Sequence, residues 1–287
     1  MKQDLIDNLS VYLLKKQFTI RCLTRACFDI VARKGTQVLL IKILEDANSI
    51  NERVIEEMKK MSSYFDASPL IIADKTNLQL KDNVIYTRFG IYTLNFNTFK
   101  NCIENRLPFV KSTHAGLTAD IIGDKLKEIR EKQGLSLNSL AKRLGVSSSM
   151  VKKYENCNAE VTINRALRIY DIFGGIVFNK IDIFSEHKQI FAQQKGELTK
   201  KYNNLGFEAT KTARVPFDIV AKKEKEIIFT QIRDKPNPQS QSLAGLINAD
   251  NLVIFKKKKP KDIPSMTKEE FLDYEEADEL IKFLKEF

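Results

Sequence analysis

The sequence is poor in the residues that build metal centres and covalent cross-links. Its 287 residues include four cysteines and two histidines. Cys22, Cys27, Cys102 and Cys157 are scattered, and His114 and His187 lie far apart and beside no cysteine pair. Zinc sites need closely spaced ligand pairs, and disulfide scaffolds need a higher cysteine density in a short chain. The expectation is therefore a cytoplasmic chain with reduced thiols, no metal and no cofactor, with His114 in a loop. No apolar run approaches the roughly 18 residues needed to span a bilayer, and no charged-then-apolar signal opens the sequence. A membrane partner is not expected.

What is present is an ordinary core-forming composition, 43% hydrophobic and 29% charged, at a length that suits two or three domains. The formal net charge is +10. A basic balance favours polyanionic partners, and without a membrane segment nucleic acid is the better candidate.

The chain repeats itself. Phe28-Asp29-Ile30-Val31-Ala32-Arg33-Lys34 recurs as Phe217-Asp218-Ile219-Val220-Ala221-Lys222-Lys223. In the same register Arg25 matches Arg214, Phe18 matches Phe207 and Leu9 matches Leu198. Further on, Leu70-Ile71-Ile72 has its counterpart in Leu252-Val253-Ile254. Each copy begins with an amphipathic helix (Leu5, Leu9, Tyr12 and Leu13; Ile190, Leu198, Tyr202 and Leu205). A short strand, the FDIVA strand, a tight turn and an apolar strand (Val38–Leu44; Ile227–Ile232) come next. A helix, a strand and a last helix complete the unit, the last helix starting at an N-cap, Asn95 or Thr267. Two homologous α/β domains, 1–110 and 186–287, are expected to flank a third segment, 118–178, of another kind.

An aspartate at a strand end, a hairpin, and an apolar strand ending in lysine resemble the core of PD-(D/E)xK nucleases, in the Holliday-junction-resolvase branch of the restriction-endonuclease-like fold. In that family the aspartate and a second carboxylate hold a divalent metal, and the lysine orients the attacking water. Here the first copy has Asp29 and Lys42, but Leu40 stands at the second carboxylate position. The second copy has Asp218, with Phe229 at the carboxylate and Gln231 at the lysine. Leucine and phenylalanine cannot ligate Mg²⁺, and Glu45, an odd number of residues from Leu40, would point from the other face of the strand. Asp29, Lys42 and Asp218 are thus expected to be vestigial. Each aspartate would cap a turn or pair with a basic neighbour such as Arg25 or Arg214, and no residue would be catalytic.

The segment Gly123–Gly174 carries the clearest pattern. Leu126, Ile129 and Arg130 fall in a first helix ending at Gly134. Ser136 caps a second, with Leu137, Leu140, Ala141 and Leu144 on its inner face. Gly145 supplies the positive φ of a sharp turn, Val146 anchors it, and Ser147 caps a third helix with Val151 and Tyr154 inward. Ile163, Ala166, Leu167, Ile169 and Phe173 close a bundle of four to five helices. This resembles the Cro/C1-type helix-turn-helix family over its full length. The resemblance implies that the third helix enters the major groove of double-stranded DNA, with Ser147, Ser148, Ser149, Lys152 and Lys153 at the bases. Asn138, Lys142 and Arg143 would contact phosphates. Leu137 stands where many members carry a polar residue, often glutamine, so one common phosphate contact is missing. The run Lys256–Lys259, which follows a strand and lacks a motif, is expected to be a solvated face.

A Cro/C1-type domain between two such halves resembles an archaeal family of helix-turn-helix transcriptional regulatory proteins. The carrying stretches are Phe28–Ile43, Asp66–Asp74, Phe89–Phe99 and the central segment. The implied activity is non-enzymatic, sequence-specific DNA binding by a homodimer, since one chain offers one recognition helix and a two-fold dimer offers two. The flanking domains would supply the dimer contact. A metal-dependent nuclease or junction resolvase, and a binder of DNA structure without catalysis, are the competing readings.

Overall fold

In a computed structural model, which describes residues 2–185 and 196–287, the chain is a mixed α/β protein. Its first part runs α1 (Lys2–Lys15), β1 (Thr19–Cys22), β2 (Ile30–Lys34), β3 (Gln37–Asp46), α2 (Glu52–Phe65), β4 (Ser68–Thr76), β5 (Leu78–Gln79), β6 (Val84–Arg88), β7 (Ile91–Leu94) and α3 (Phe96–Ile103). Then follow β8 (Val110–Thr113), β9 (Gly116–Asp120), α4 (Gly123–Lys132), α5 (Leu137–Leu144), α6 (Ser148–Asn156), β10 (Glu160–Thr162) and α7 (Ile163–Phe173). The last part comprises α8 (Glu197–Asn204), β11 (Glu208–Lys211), β12 (Ile219–Lys223), β13 (Glu226–Ile232), α9 (Pro238–Ile247), β14 (Asp250–Ile254), β15 (Ser265–Met266), α10 (Lys268–Asp273) and α11 (Ala277–Lys285). Contacts group the described residues into two compact units, one from 2–45, 49–71, 184–185 and 196–287, the other from 46–48 and 72–183. His187 and Ile190 lie outside the described residues.

In the first unit the order α1-β1-β2-β3-α2-β4 recurs as α8-β11-β12-β13-α9-β14. The hairpins share a register: Val31 faces Leu40 across β2 and β3 as Val220 faces Phe229 across β12 and β13. Backbone strain repeats too. Left-handed φ values occur at Gln17 and Gly206, Arg25 and Arg214, Gly35 and Glu224, and Asp66 and Asn248. Side chains rarely adopt that region unless a turn demands it, so matched outliers record matched turns.

The two halves bury their faces on each other reciprocally. Glu57 on α2 accepts a hydrogen bond from the Ala213 N–H at 2.8 Å. In mirror fashion, Gln239 on α9 donates to the Thr24 hydroxyl at 3.1 Å, Thr24 and Ala213 being matched positions. Lys222 reaches the end of α2, donating to Asp66 at 2.7 Å, and its counterpart Arg33 donates to the Leu246 carbonyl near the end of α9 at 2.9 Å. Cations at carbonyl-rich helix ends are favourable. Phe65 at the end of α2 packs against Phe229 and Phe217 of the other half, ring centroids 5.5 and 6.5 Å apart. The arrangement has the form of an isologous dimer interface made within one chain.

The second unit holds the central helices. Its core joins Leu126, Leu140, Leu144, Val151, Ile169 and Phe173. The segment is not all helical: β9 pairs antiparallel with both β8 and β10, and Ala119 and Val161, which face each other, enter the same core. Strand β10 is three residues long with one buried side chain, too short to show an alternation in sequence. Four α-helices are followed by a 3-10 turn, Gly174–Val177. Leu167, expected inside, is 54% exposed. The buried stripe of α7 is Ala166, Ile169 and Phe173, and Leu167 stands one residue, about 100°, around the helix from it.

Candidate nucleic-acid interface

The turn between α5 and α6 is built by local chemistry. Ser136 caps α5 by accepting from the Ser139 N–H at 3.1 Å. Gly145 ends α5 at φ 67°, and a Cβ there would meet the Arg168 guanidinium at 2.7 Å. Arg168 itself donates to the Leu144 carbonyl at 3.0 Å, satisfying one of the orphan carbonyls at the end of α5. The Val146 N–H bonds back to the Ala141 carbonyl at 3.0 Å. Ser147 then caps α6 by accepting from the Met150 N–H at 3.3 Å. Leu140, Ala141 and Leu144 are buried, as are Val151 and Tyr154, while Leu137 is partly buried.

What these helices leave outside is a polar, basic ridge. Ser147, Ser149, Lys152 and Lys153 are exposed and Ser148 is half-buried. The Ser148 hydroxyl donates to Asn138 on α5, and Ser147 and Ser149 share a hydrogen bond of 2.8 Å. Asn138, Lys142 and Arg143 are exposed on α5. Lys142 and Arg143 also lie in the last turn of α5, where positive charge complements the helix dipole. The expected residues are thus displayed on α5, on α6 and at the cap between them, the Ser148 hydroxyl tying α6 to α5.

Two features set this ridge without being legible from the motif. Arg130 and Glu155, 7% and 4% exposed, form a buried ion pair between α4 and α6. The guanidinium engages both carboxylate oxygens, the second at 3.0 Å, and donates to the Leu135 carbonyl at 2.8 Å. The bond to Glu155 is the main cause holding the Arg130 pKa above its ordinary value. Gly123, at the start of α4, meets the end of α6 so closely that a Cβ would lie 2.6 Å from the Glu155 carbonyl oxygen and 2.8 Å from that of Tyr154.

The nuclease-like positions make defined polar contacts. Asp29 accepts from Lys2 at 3.0 Å, from Lys42 at 3.3 Å and from the Ile43 N–H at 2.7 Å. Asp218 accepts from Arg233 at 2.9 and 3.1 Å and from the Ile232 N–H at 2.7 Å, the matched backbone position. The cationic partners are therefore Lys2, Lys42 and Arg233, and not Arg25 or Arg214, which sit on left-handed turns with exposed side chains. Gln231, at the lysine position, is fully buried and accepts from the Asn237 N–H at 2.7 Å, at the cap of α9. Phe229, at the second carboxylate position, is fully buried and stacks on Phe217 at 4.0 Å. Among the described residues no cluster of three or more His, Cys, Asp or Glu side chains could hold a metal ion. Two ammonium groups, of Lys2 and Lys42, thus sit on Asp29, and the Arg233 guanidinium sits on Asp218.

Among the four cysteines, Cys27 and Cys102 are buried, and burial pushes their thiols up, Cys102 to about 12. His114 lies in the turn between β8 and β9. Among the described residues no helix is long and apolar enough to cross a membrane.

Fold and ridge define a helix-turn-helix protein with a nuclease-like α/β half, and comparison with known proteins matches both parts. A PD-(D/E)XK superfamily domain model matches residues 2–108 and a helix-turn-helix model residues 126–175. A protein of Archaeoglobus fulgidus described as "Putative HTH-type transcriptional regulatory protein" is 33% identical, covering 98% of this chain and 97% of its own. Proteins of Methanocaldococcus jannaschii and Pyrococcus furiosus with the same description are each 32% identical. They cover 99% and 91% of this chain, and 97% and 89% of their own. No solved structure matches. The chain belongs to this archaeal family of HTH-type transcriptional regulatory proteins.

Proposed function

We propose that this protein is a non-enzymatic transcriptional regulator that binds duplex DNA sequence-specifically, as a homodimer, through the N-terminal part of α6. The observation that carries the reading is the exposed ridge of Ser147, Ser149, Lys152 and Lys153 on a helix whose opposite face, Val151 and Tyr154, is locked in the core. A rigidly seated helix with a free N-terminal edge is what base reading in the major groove requires. Lys152 and Lys153 donate to guanine edges, the serines bond adaptably, and Asn138, Lys142 and Arg143 take backbone phosphates. The names of the archaeal relatives point to the same activity.

The flanking regions are, in this proposal, two degenerate copies of one nuclease-like domain, about 1–110 and 186–287, around a reading domain of about 118–178. Matched registers and matched left-handed turns support common descent. Leu40 and Phe229 at the second carboxylate positions, the ion pair of Asp29 with Lys2, and the aromatic stack of Phe229 support loss of catalysis. The homodimer requirement comes from recognition, because a single module seldom buries enough surface for strong specificity. The flanking regions supply the contact between chains in this proposal, through surfaces other than the face their halves bury on each other.

Selection from random duplexes at fixed, stated salt tests the reading. Enriched inverted repeats with half-sites spaced by whole helical turns are expected. Absence of any enriched sequence refutes sequence reading, and a monomer by light scattering in the presence of selected DNA refutes the dimer. Cleavage of duplex or branched DNA in Mg²⁺ or Mn²⁺ that disappears in Asp29→Ala refutes the non-enzymatic assignment.

A further inference from the structure

The lysine run that the helix-turn-helix reading leaves unused lies in the second nuclease-like half. Strands β13 and β14 are parallel neighbours, with Ile232 beside Ile254, so the segments that follow them leave the same end of the sheet. The first exit carries Arg233, Asp234 and Lys235, and the second Phe255 and then Lys256, Lys257, Lys258 and Lys259 before Pro260. Lys235 and the four consecutive lysines are exposed.

Two observations separate this loop from an ordinary solvated face. The first is that its backbone is held. Asp234 accepts from the Lys256 N–H at 2.7 Å and from the Lys257 N–H at 3.0 Å, pinning the second exit to the first. These backbone bonds hold the Asp234 carboxyl below its ordinary pKa. The one carboxylate oxygen that engages the loop is thus spent on amides, and the ammonium groups project from an anchored loop. The second observation is the sign of the charge. At the matching places the first half has Glu45 and Asp46, and then Asp74, Lys75, Thr76 and Asn77. The element order therefore does not require cations at this end of a sheet, and the basic loop is a property of the second half alone.

We propose that Lys256–Lys259, with Lys235, form a second DNA contact, a sequence-independent site for the phosphodiester backbone of duplex DNA. This rests on the DNA-binding reading and extends it to a part of the chain outside the helix-turn-helix. Lysines act on phosphates as flexible point charges, adding affinity without reading bases. An anionic lipid surface suits the loop less well, because no exposed apolar side chain stands among the four lysines to enter a bilayer.

The test is a salt titration of binding to a random-sequence duplex and to a selected duplex. It compares the full chain with a variant carrying Lys256→Ala, Lys257→Ala, Lys258→Ala and Lys259→Ala together. Each phosphate contact contributes about 0.9 to the slope of log affinity against log salt. Two to four lost contacts should lower the slope by about 2 to 4 and weaken both duplexes alike, leaving their affinity ratio unchanged. Replacing the four lysines by arginine should restore the slope. Circular dichroism and thermal unfolding matching wild type establish that the exposed substitutions leave the fold intact. An unchanged slope in a wild type that does bind DNA overturns this proposal and leaves the helix-turn-helix reading standing. A wild type that binds no duplex at any salt overturns both. Loss of binding to anionic phospholipid vesicles, with the DNA slope unchanged, assigns the loop to a lipid surface and overturns the proposal as well.

Discussion

Truncating Glu155 to alanine should cost more than any other single change on the reading helix. The substitution leaves the Arg130 guanidinium, 7% exposed, without its bidentate partner. Breaking one side of a buried ion pair typically costs about 3–5 kcal/mol, because the remaining charge is desolvated and unpaired. Arg130 retains two partial compensations. It donates to the Leu135 carbonyl at 2.8 Å, and it reaches Glu131 at 3.2 Å, a side chain 56% exposed and so worth less than about 1 kcal/mol. The expected loss is therefore near the lower end, about 3 kcal/mol, or roughly two decades in the folded-to-unfolded ratio. Urea denaturation followed by far-UV circular dichroism measures it, read as a fall in midpoint at constant slope. Replacing both partners, Arg130→Met with Glu155→Leu, should fall within about 1 kcal/mol of wild type or exceed it, since buried apolar pairs often match buried ion pairs. A loss below about 1 kcal/mol for Glu155→Ala would show that Arg130 is solvated and that the pair does not fix α4 against α6.

Gly123→Ala places a methyl group against the backbone at the end of α6; a loss of about 1–3 kcal/mol is expected by thermal unfolding, with weaker DNA binding. Phe65→Ala removes the ring that joins the halves at Phe229 and Phe217 and should cost about 3–5 kcal/mol in denaturant unfolding, leaving the helix-turn-helix residues untouched. Asp29→Ala strands Lys42 and the Ile43 N–H; about 2–3 kcal/mol of stability should be lost with no change in DNA affinity, measured by unfolding and by filter binding. The loop anchored by Asp234 should loosen in acid. A carboxyl whose folded pKa is depressed stabilises above its unfolded value, about 3.9, and that contribution disappears as pH falls through the lower folded value. Amide exchange at Lys256 and Lys257 should accordingly lose protection below about pH 4, and unchanged protection at pH 3 would refute the anchor.

The reading domain was legible because its determinants are local. Ser136, Gly145 and Ser147 each act within four residues of their own position, so a cap or turn residue predicts its own geometry. Arg130 and Glu155 were not legible as partners. They lie 25 positions apart on different helices, and charged residues in amphipathic helices ordinarily face water. A signal existed in Arg130 itself, four residues after the buried Leu126 and thus on the same face of α4. For Gly123 the reason is contact with a backbone that approaches only after folding, and nothing in its own neighbourhood announces it.

The repeated halves divide in the same way. Their internal turns were legible from matched residues, but their mutual packing was not, because it depends on what α2 and α9 meet across the interface. That packing gives Phe229 a role of its own. From sequence, Phe229 is an absence, a carboxylate replaced by a residue that cannot bind Mg²⁺. In the structure it stacks on Phe217 and meets Phe65 of the other half, so it is a packing contact between the halves of the first unit. A buried carboxylate there would need a metal or a cation to offset its desolvation, whereas the aromatic ring contributes burial directly. Restoring the carboxylate by Phe229→Asp should therefore destabilise the protein and recover no cleavage, because the cost of the unpaired charge falls on the interface between the halves. Mg²⁺-dependent stabilisation of that variant would show instead that the site still accepts a metal.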